Sequence, residues 1–170
     1  MLDQAHIHLL ITHLPVFGSI LGALVLVHGL YTESRPTRVA AYNVLVLSAV
    51  GALIANFTGE GAEHTVEGLP GVYESIIEEH EESAIYVVWI LSACGLLSLA
   101  ATFASIRDLA IERRLSLFVL VLSLAGFAAI ARTAFLGGQI RHTEIRSGAT
   151  APMENTAEKE KEEMKEDEDD

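Results

Sequence analysis

Apolar residues gather into four long runs, Leu9 to Tyr31, Val39 to Phe57, Ser83 to Ile106 and Leu115 to Leu136, separated by short polar segments. At about 1.5 Å of rise per helical residue, each run can cross a hydrocarbon core roughly 30 Å thick. The pattern predicts an all-α membrane protein, a four-transmembrane up-down helix bundle. The segment between the second and third runs is expected to form a short helical outer connection. Within it Gly68-Leu69-Pro70-Gly71 should break the helix, and a new helix starting near Val72 should run without interruption into the third span. The first run lacks a basic flank and is longer than the apolar core of a signal peptide, so it is expected to stay in the mature protein.

Composition adds a second region. The 170 residues are 51% hydrophobic with a mean hydropathy of +0.37, too apolar for a soluble domain that also carries a charged tail. Residues 154–170 hold ten acids and three lysines, and this stretch supplies most of the net charge of −12. The division is therefore a four-helix transmembrane domain over 1–146 and an acidic tail over 147–170, expected to be disordered for want of anything to bury. The tail serves solubility by default, and it suits a basic partner such as a cytochrome domain. Cys94 stands alone inside the third run and reads as a small apolar filler. Phosphate-binding loops, nucleophile elbows and nucleic-acid surfaces are absent from the pattern, which sets those classes aside.

The arginines give an orientation. Arg35 and Arg38 lie between the first and second runs, and Arg107, Arg113 and Arg114 between the third and fourth. From Val39 to Ile106 there is no Lys or Arg at all. The positive-inside bias then puts the arginine loops in the cytoplasm and both termini outside, in a bacterial inner membrane. Arg141 and Arg146 on the outer side weaken that bias without reversing it.

Candidate chemistry concentrates at the outer end. Thr58 to Glu82 carries eight glutamates and two histidines. Glu60, Glu63, His64 and Glu67 share one helical face at 100° per residue, a stripe that can face a metal or simply water. His80 aligns with Ile76, Ile77, Ala84 and Val87 and so should point inward, whereas Glu74, Glu78, Glu81 and Glu82 look outward. At the mouth of the first run stand His6, His8 and His13. His13 is expected to face the bundle interior, because ionisable side chains inside a membrane segment are costly. Pro15 either opens the helix or kinks one already running. His28, near the cytoplasmic end, reads as interfacial. Near the outer end of the fourth run Arg132 should snorkel or pair with Glu60 or Glu63, and Arg141, His142 and Glu144 follow Gly137 and Gly138.

The motifs HLLITHLP, TGEGAEH, GVYESIIEEHEESA and ARTAFLGGQIRHTEI, in that order over residues 5–145, resemble an uncharacterised bacterial four-helix membrane family. That resemblance implies the four-helix fold and a setting among respiratory or redox modules, including proteins with cytochrome c or Rieske domains. No settled activity comes with it.

An up-down bundle that starts outside brings the four motifs to one end. The expectation is a metal centre with His8, His13, Glu60, Glu63, His80 and His142 as ligands and Arg132, Arg141 and Glu144 behind them. Imidazole nitrogen with carboxylate oxygen suits iron, copper, zinc or manganese. A redox-active centre would pass electrons or oxidise a small or quinone-like substrate, and zinc would be structural or hydrolytic. The alternatives are haem b between His13 and His80, and an accessory or assembly subunit whose polar cluster only fixes helix register. Enzymatic activity is left open, as is a homo-oligomer.

Overall fold

A computed structural model describes residues 3–146; the acidic tail over 147–170 lies outside the described residues. Five helices follow in order: α1 (Gln4–Ile11), α2 (His13–Tyr31), α3 (Arg35–Val66), α4 (Glu74–Ile106) and α5 (Glu112–Arg141), with a 3-10 turn, η1, at Thr143–Ile145. Among the described residues there is no strand.

Local sequence explains each boundary. Asp3 caps α1 by accepting the His6 amide at 2.8 Å, and this bond, with the His6 ring, holds the Asp3 carboxyl below its usual range. The helix is already running when it meets Pro15, which has no N–H to give the Ile11 carbonyl, and regular bonding lapses at Thr12. Thr12 keeps right-handed helical angles, φ −60° and ψ −24°, so α1 and α2 form one apolar span from Gln4 to Tyr31. α3 continues through Glu60–Val66 and absorbs the expected connecting helix. Gly59 and Gly61 cost the helix only about 1 kcal/mol each, and the chain turns where Gly68 and Gly71 adopt positive φ, 72° and 79°. α4 then starts at Glu74, close to the expected Val72.

Packing is set by small residues. Gly18 lies against Ser48, and a Cβ on Gly22 would stand 2.6 Å from Leu45 Cδ2. A Cβ on Gly95 would meet the Cβ of Ala49 at 2.6 Å, and one on Gly126 would meet Leu91 Cδ2 at 2.5 Å. The absent side chains let α2, α3, α4 and α5 approach closely. Leu26, Tyr42, Leu45, Cys94 and Val119 form one core cluster, and Ala52, Val87, Leu91 and Ile130 form another. Cys94 is buried there as the small filler expected of it.

The exterior is the informative surface. Leu24, Leu47, Leu96, Leu99 and Phe118 all face outward, while Ser19, Ser48, Ser98, Ser116 and Ser123 are fully buried. Large apolar groups outside and hydroxyls inside reverse the arrangement that water selects. Four spans, Gln4–Tyr31, Arg35–Val66, Glu74–Ile106 and Glu112–Arg141, are long and apolar enough to cross a membrane.

Candidate metal centre

Two imidazoles stand inside the histidine-rich end. His8, on α1, is half-buried and places Nδ1 2.9 Å from the Ala55 carbonyl of α3. Thr58 lies beside it, with its Oγ1 bonded to the carbonyls of Ile54 and Ala55. His80, on α4, is also half-buried and places Nδ1 3.0 Å from the Thr133 carbonyl of α5. The two rings are near enough to interact electrostatically. A carbonyl oxygen can only accept, so each Nδ1 carries a hydrogen. The Nε2 lone pairs are left free, the tautomer a metal-binding histidine uses when its other nitrogen is held by the protein.

The supports of His80 are themselves fixed. Thr133 and Ser83 are buried, and their hydroxyls lie 2.7 Å apart. Thr133 Oγ1 donates to the Ala129 carbonyl at 3.2 Å, so Ser83 donates to Thr133. Gly137 clears the space for the ring: a Cβ there would stand 3.0 Å from His80 Cε1 and 3.1 Å from Nδ1. The α5 glycine thus has a packing role toward His80 and no need of a special backbone angle.

The other predicted site residues lie elsewhere. His13 is exposed and points away from the bundle; its Nδ1 donates to Leu9 O at 2.9 Å, and its ring stacks on outward-facing Phe17. The inward orientation expected of it is corrected, because the helix phase that turns His8 to α3 turns His13, five residues on, to the opposite side. Glu60 is exposed, and Glu63 is half-buried with its carboxyl against that of Glu81 on α4. Arg132 pairs with Glu79 at 3.2 Å, not with Glu60 or Glu63, and both partners are exposed. His142 holds Glu144 at 2.9 Å on the surface. The Glu144 backbone amide and His142 keep that carboxyl below its usual range. Arg141 sits exposed in the last turn of α5. His6 and His28 are exposed as well, and Glu74, Glu78, Glu81 and Glu82 face outward as expected.

Among the described residues, no three His, Cys, Asp or Glu side chains converge so as to hold one metal ion. The expected six-ligand shell is thus not brought together by the fold. What the fold turns inward at this end is two imidazoles, His8 and His80, each with Nδ1 held by a backbone carbonyl. The chain matches no known family, curated protein or solved structure in comparison.

Two further constellations escaped the sequence. Arg146 lays its guanidinium over the Tyr73 ring at 4.8 Å and donates to the carbonyls of Gln139 at 2.7 Å and Ile140 at 3.0 Å. It satisfies the end of α5 and pins the start of α4 to it. Far from the histidines, Arg38 makes a two-pronged bond to Glu112, Nε to Oε1 at 2.8 Å and Nη2 to Oε2 at 3.0 Å. Tyr42 donates to the same carboxylate at 2.8 Å and lies 2.6 Å from Ser116 Oγ. Arg35 binds Asp108 at 2.5 Å and the Ser105 hydroxyl at 3.2 Å alongside. The partners are about seventy residues apart, so no spacing rule links them.

Proposed function

We propose that this chain is a multi-pass protein of a bacterial inner membrane, an up-down bundle with its histidine end outside, and that His8 and His80 together bind a transition-metal ion there. The observation carrying this reading is the pair of imidazoles on α1 and α4, each with Nδ1–H on a backbone carbonyl of α3 or α5, so that both Nε2 atoms stay free. Iron within haem b is the favoured form, since it needs only two protein ligands, and among the described residues no group of three His, Cys, Asp or Glu converges. When bound, the metal supplies one-electron chemistry. The chain's own part would be to fix both imidazoles in the ligating tautomer, His8 from α3 and His80 from α5, leaving each Nε2 able to hold the metal. Electron transfer beside respiratory partners is the function this supports, in keeping with the resemblance of the four motifs. The outward-facing apolar exterior and the arginines at the opposite end support the membrane placement and the orientation.

Protein purified without added metal should carry near-stoichiometric metal. A Soret band marks haem, and its absence with stoichiometric metal marks a non-haem centre. Carefully purified protein with neither metal nor haem overturns the reading and leaves a structural accessory subunit.

A further inference from the structure

Inside the apolar run Val39 to Phe57, α3 turns Tyr42 and Ser48 toward the bundle. Both are fully buried, and they bond to Glu112 and to the Pro15 carbonyl. Asn43, beside Tyr42, is exposed on the outer surface, and its carboxamide makes no hydrogen bond among the described residues. It stands five residues inward of Arg38, about 7.5 Å along the helix axis. An asparagine side chain is too short to reach back to the headgroups as a long cation does. A carboxamide has two N–H donors and a carbonyl acceptor, and hydrocarbon offers no water to satisfy them. The Val39 carbonyl, one turn back, can accept one donor. The carboxamide oxygen finds nothing on its own helix, where the backbone N–H groups already serve the helical ladder.

Asn43 belongs to a repeating face. Ala40, Asn43, Leu47, Val50, Ile54 and Phe57 recur at alternating steps of three and four residues, and all are exposed. That spacing is the seam of two parallel helices, and one polar residue in such a seam fixes register and partner number. We propose that two copies of this chain associate in the membrane along this face of α3, with the two Asn43 carboxamides bonded to each other across a two-fold axis. Both copies cross the membrane in one orientation, so the axis lies along the membrane normal and like positions meet. Each carboxamide N–H donates to the other's carbonyl oxygen, which gives the bare acceptor its donor. Ala40, one turn toward the arginine end, leaves room for the pair, and Leu47, Val50 and Ile54 pack beyond it. The inference rests on the membrane placement proposed above and not on the metal centre.

Cysteine cross-linking of the full-length protein in its native membrane tests it. In a Cys94→Ala background, which removes the lone thiol, Leu47→Cys and Val50→Cys put a thiol on the seam. Leu117→Cys and Leu124→Cys put one on the outward face of α5. Oxidation with copper phenanthroline should give a dimer band for the two seam variants and none for the two on α5. Polar contacts between membrane helices are worth about three- to thirty-fold in association. Sedimentation equilibrium in mild detergent should show Asn43→Leu weakening the dimer by a factor in that range, and Asn43→Gln, which keeps the carboxamide, restoring much of it. Asn43 holds no neighbour in its own chain, so thermal unfolding of Asn43→Leu should match the parent. Cross-links that do not favour the seam, or an Asn43→Leu protein that associates like the parent, overturn the proposal. A seam thiol captured by a protein of another mass also overturns it, by giving this face to a different partner. Washing the membranes with alkaline carbonate separates the two readings. A released chain contradicts the membrane placement and the seam together, whereas a retained chain without the seam cross-link contradicts the dimer alone.

Discussion

The two ends of the bundle spend their polar residues in opposite ways. At the arginine end the inward-facing strong groups partner one another: Arg38 with Glu112, Tyr42 with both Glu112 and Ser116, and Arg35 with Ser105 and Asp108. At the histidine end the charges are spread over the surface, and the two inward imidazoles bond to backbone carbonyls through one nitrogen only. A closed network locks helices, whereas a ring nitrogen without a protein partner can take a ligand. The contrast teaches that richness in ionisable residues is a poor guide to a site. The acidic stretch is the richer of the two regions, yet only Glu63 of its first stripe is even half-buried beside the residues that converge.

The largest expected effect separates the ends on stability. Glu112→Ala leaves the half-buried Arg38 charge without its partner, and breaking a fully buried pair costs about 3–5 kcal/mol, so a loss toward the lower end of that range is expected. Thermal unfolding in mild detergent should show it plainly, and a Glu112→Ala protein as stable as the parent would show the pair to be idle. His80→Ala should unfold close to the parent temperature but lose its metal. Next comes helix spacing: Gly95→Ala drives one Cβ against that of Ala49 with no flexible atom to yield, so it should cost about 1–3 kcal/mol. Gly137→Ala presses on the His80 ring and should lower metal content more than it lowers stability, a split that unfolding and elemental analysis read separately. Smallest is Arg132→Ala. Its pair with Glu79 is more than half exposed on both sides, and such pairs are worth about 0–1 kcal/mol. A shift well beyond that would give the histidine end a stabilising role not expected of it.

Much of the fold was legible because apolar run length is a strong signal: the four runs became four long apolar helical spans, the first of them α1 with α2, and Gly68 and Gly71 broke the chain where expected. His80 was legible too, since it falls in phase with Ile77 and Val87, which are buried. His13 was not. Helical phase separates it from His8, five residues away, but which of the two faces turns inward depended on how α1 packs on α3. His8 and its partner Ala55 are 47 residues apart, and Arg38 and Glu112 are 74 apart; pairings of that range depend on which helices become neighbours. Arg132 shows the same limit on a smaller scale. The need for a partner was readable, but the identity of the carboxylate followed from the register of α4 against α5.

The most direct test of the central claim is metal content together with the absorption spectrum, measured on the purified parent and on His8→Ala, His80→Ala and His13→Ala made identically. The account predicts near-stoichiometric metal or a Soret band in the parent, loss of it in His8→Ala and in His80→Ala, and retention in His13→Ala, whose ring faces outward. A parent with neither metal nor haem, or a His80→Ala protein that keeps its full complement, would contradict it.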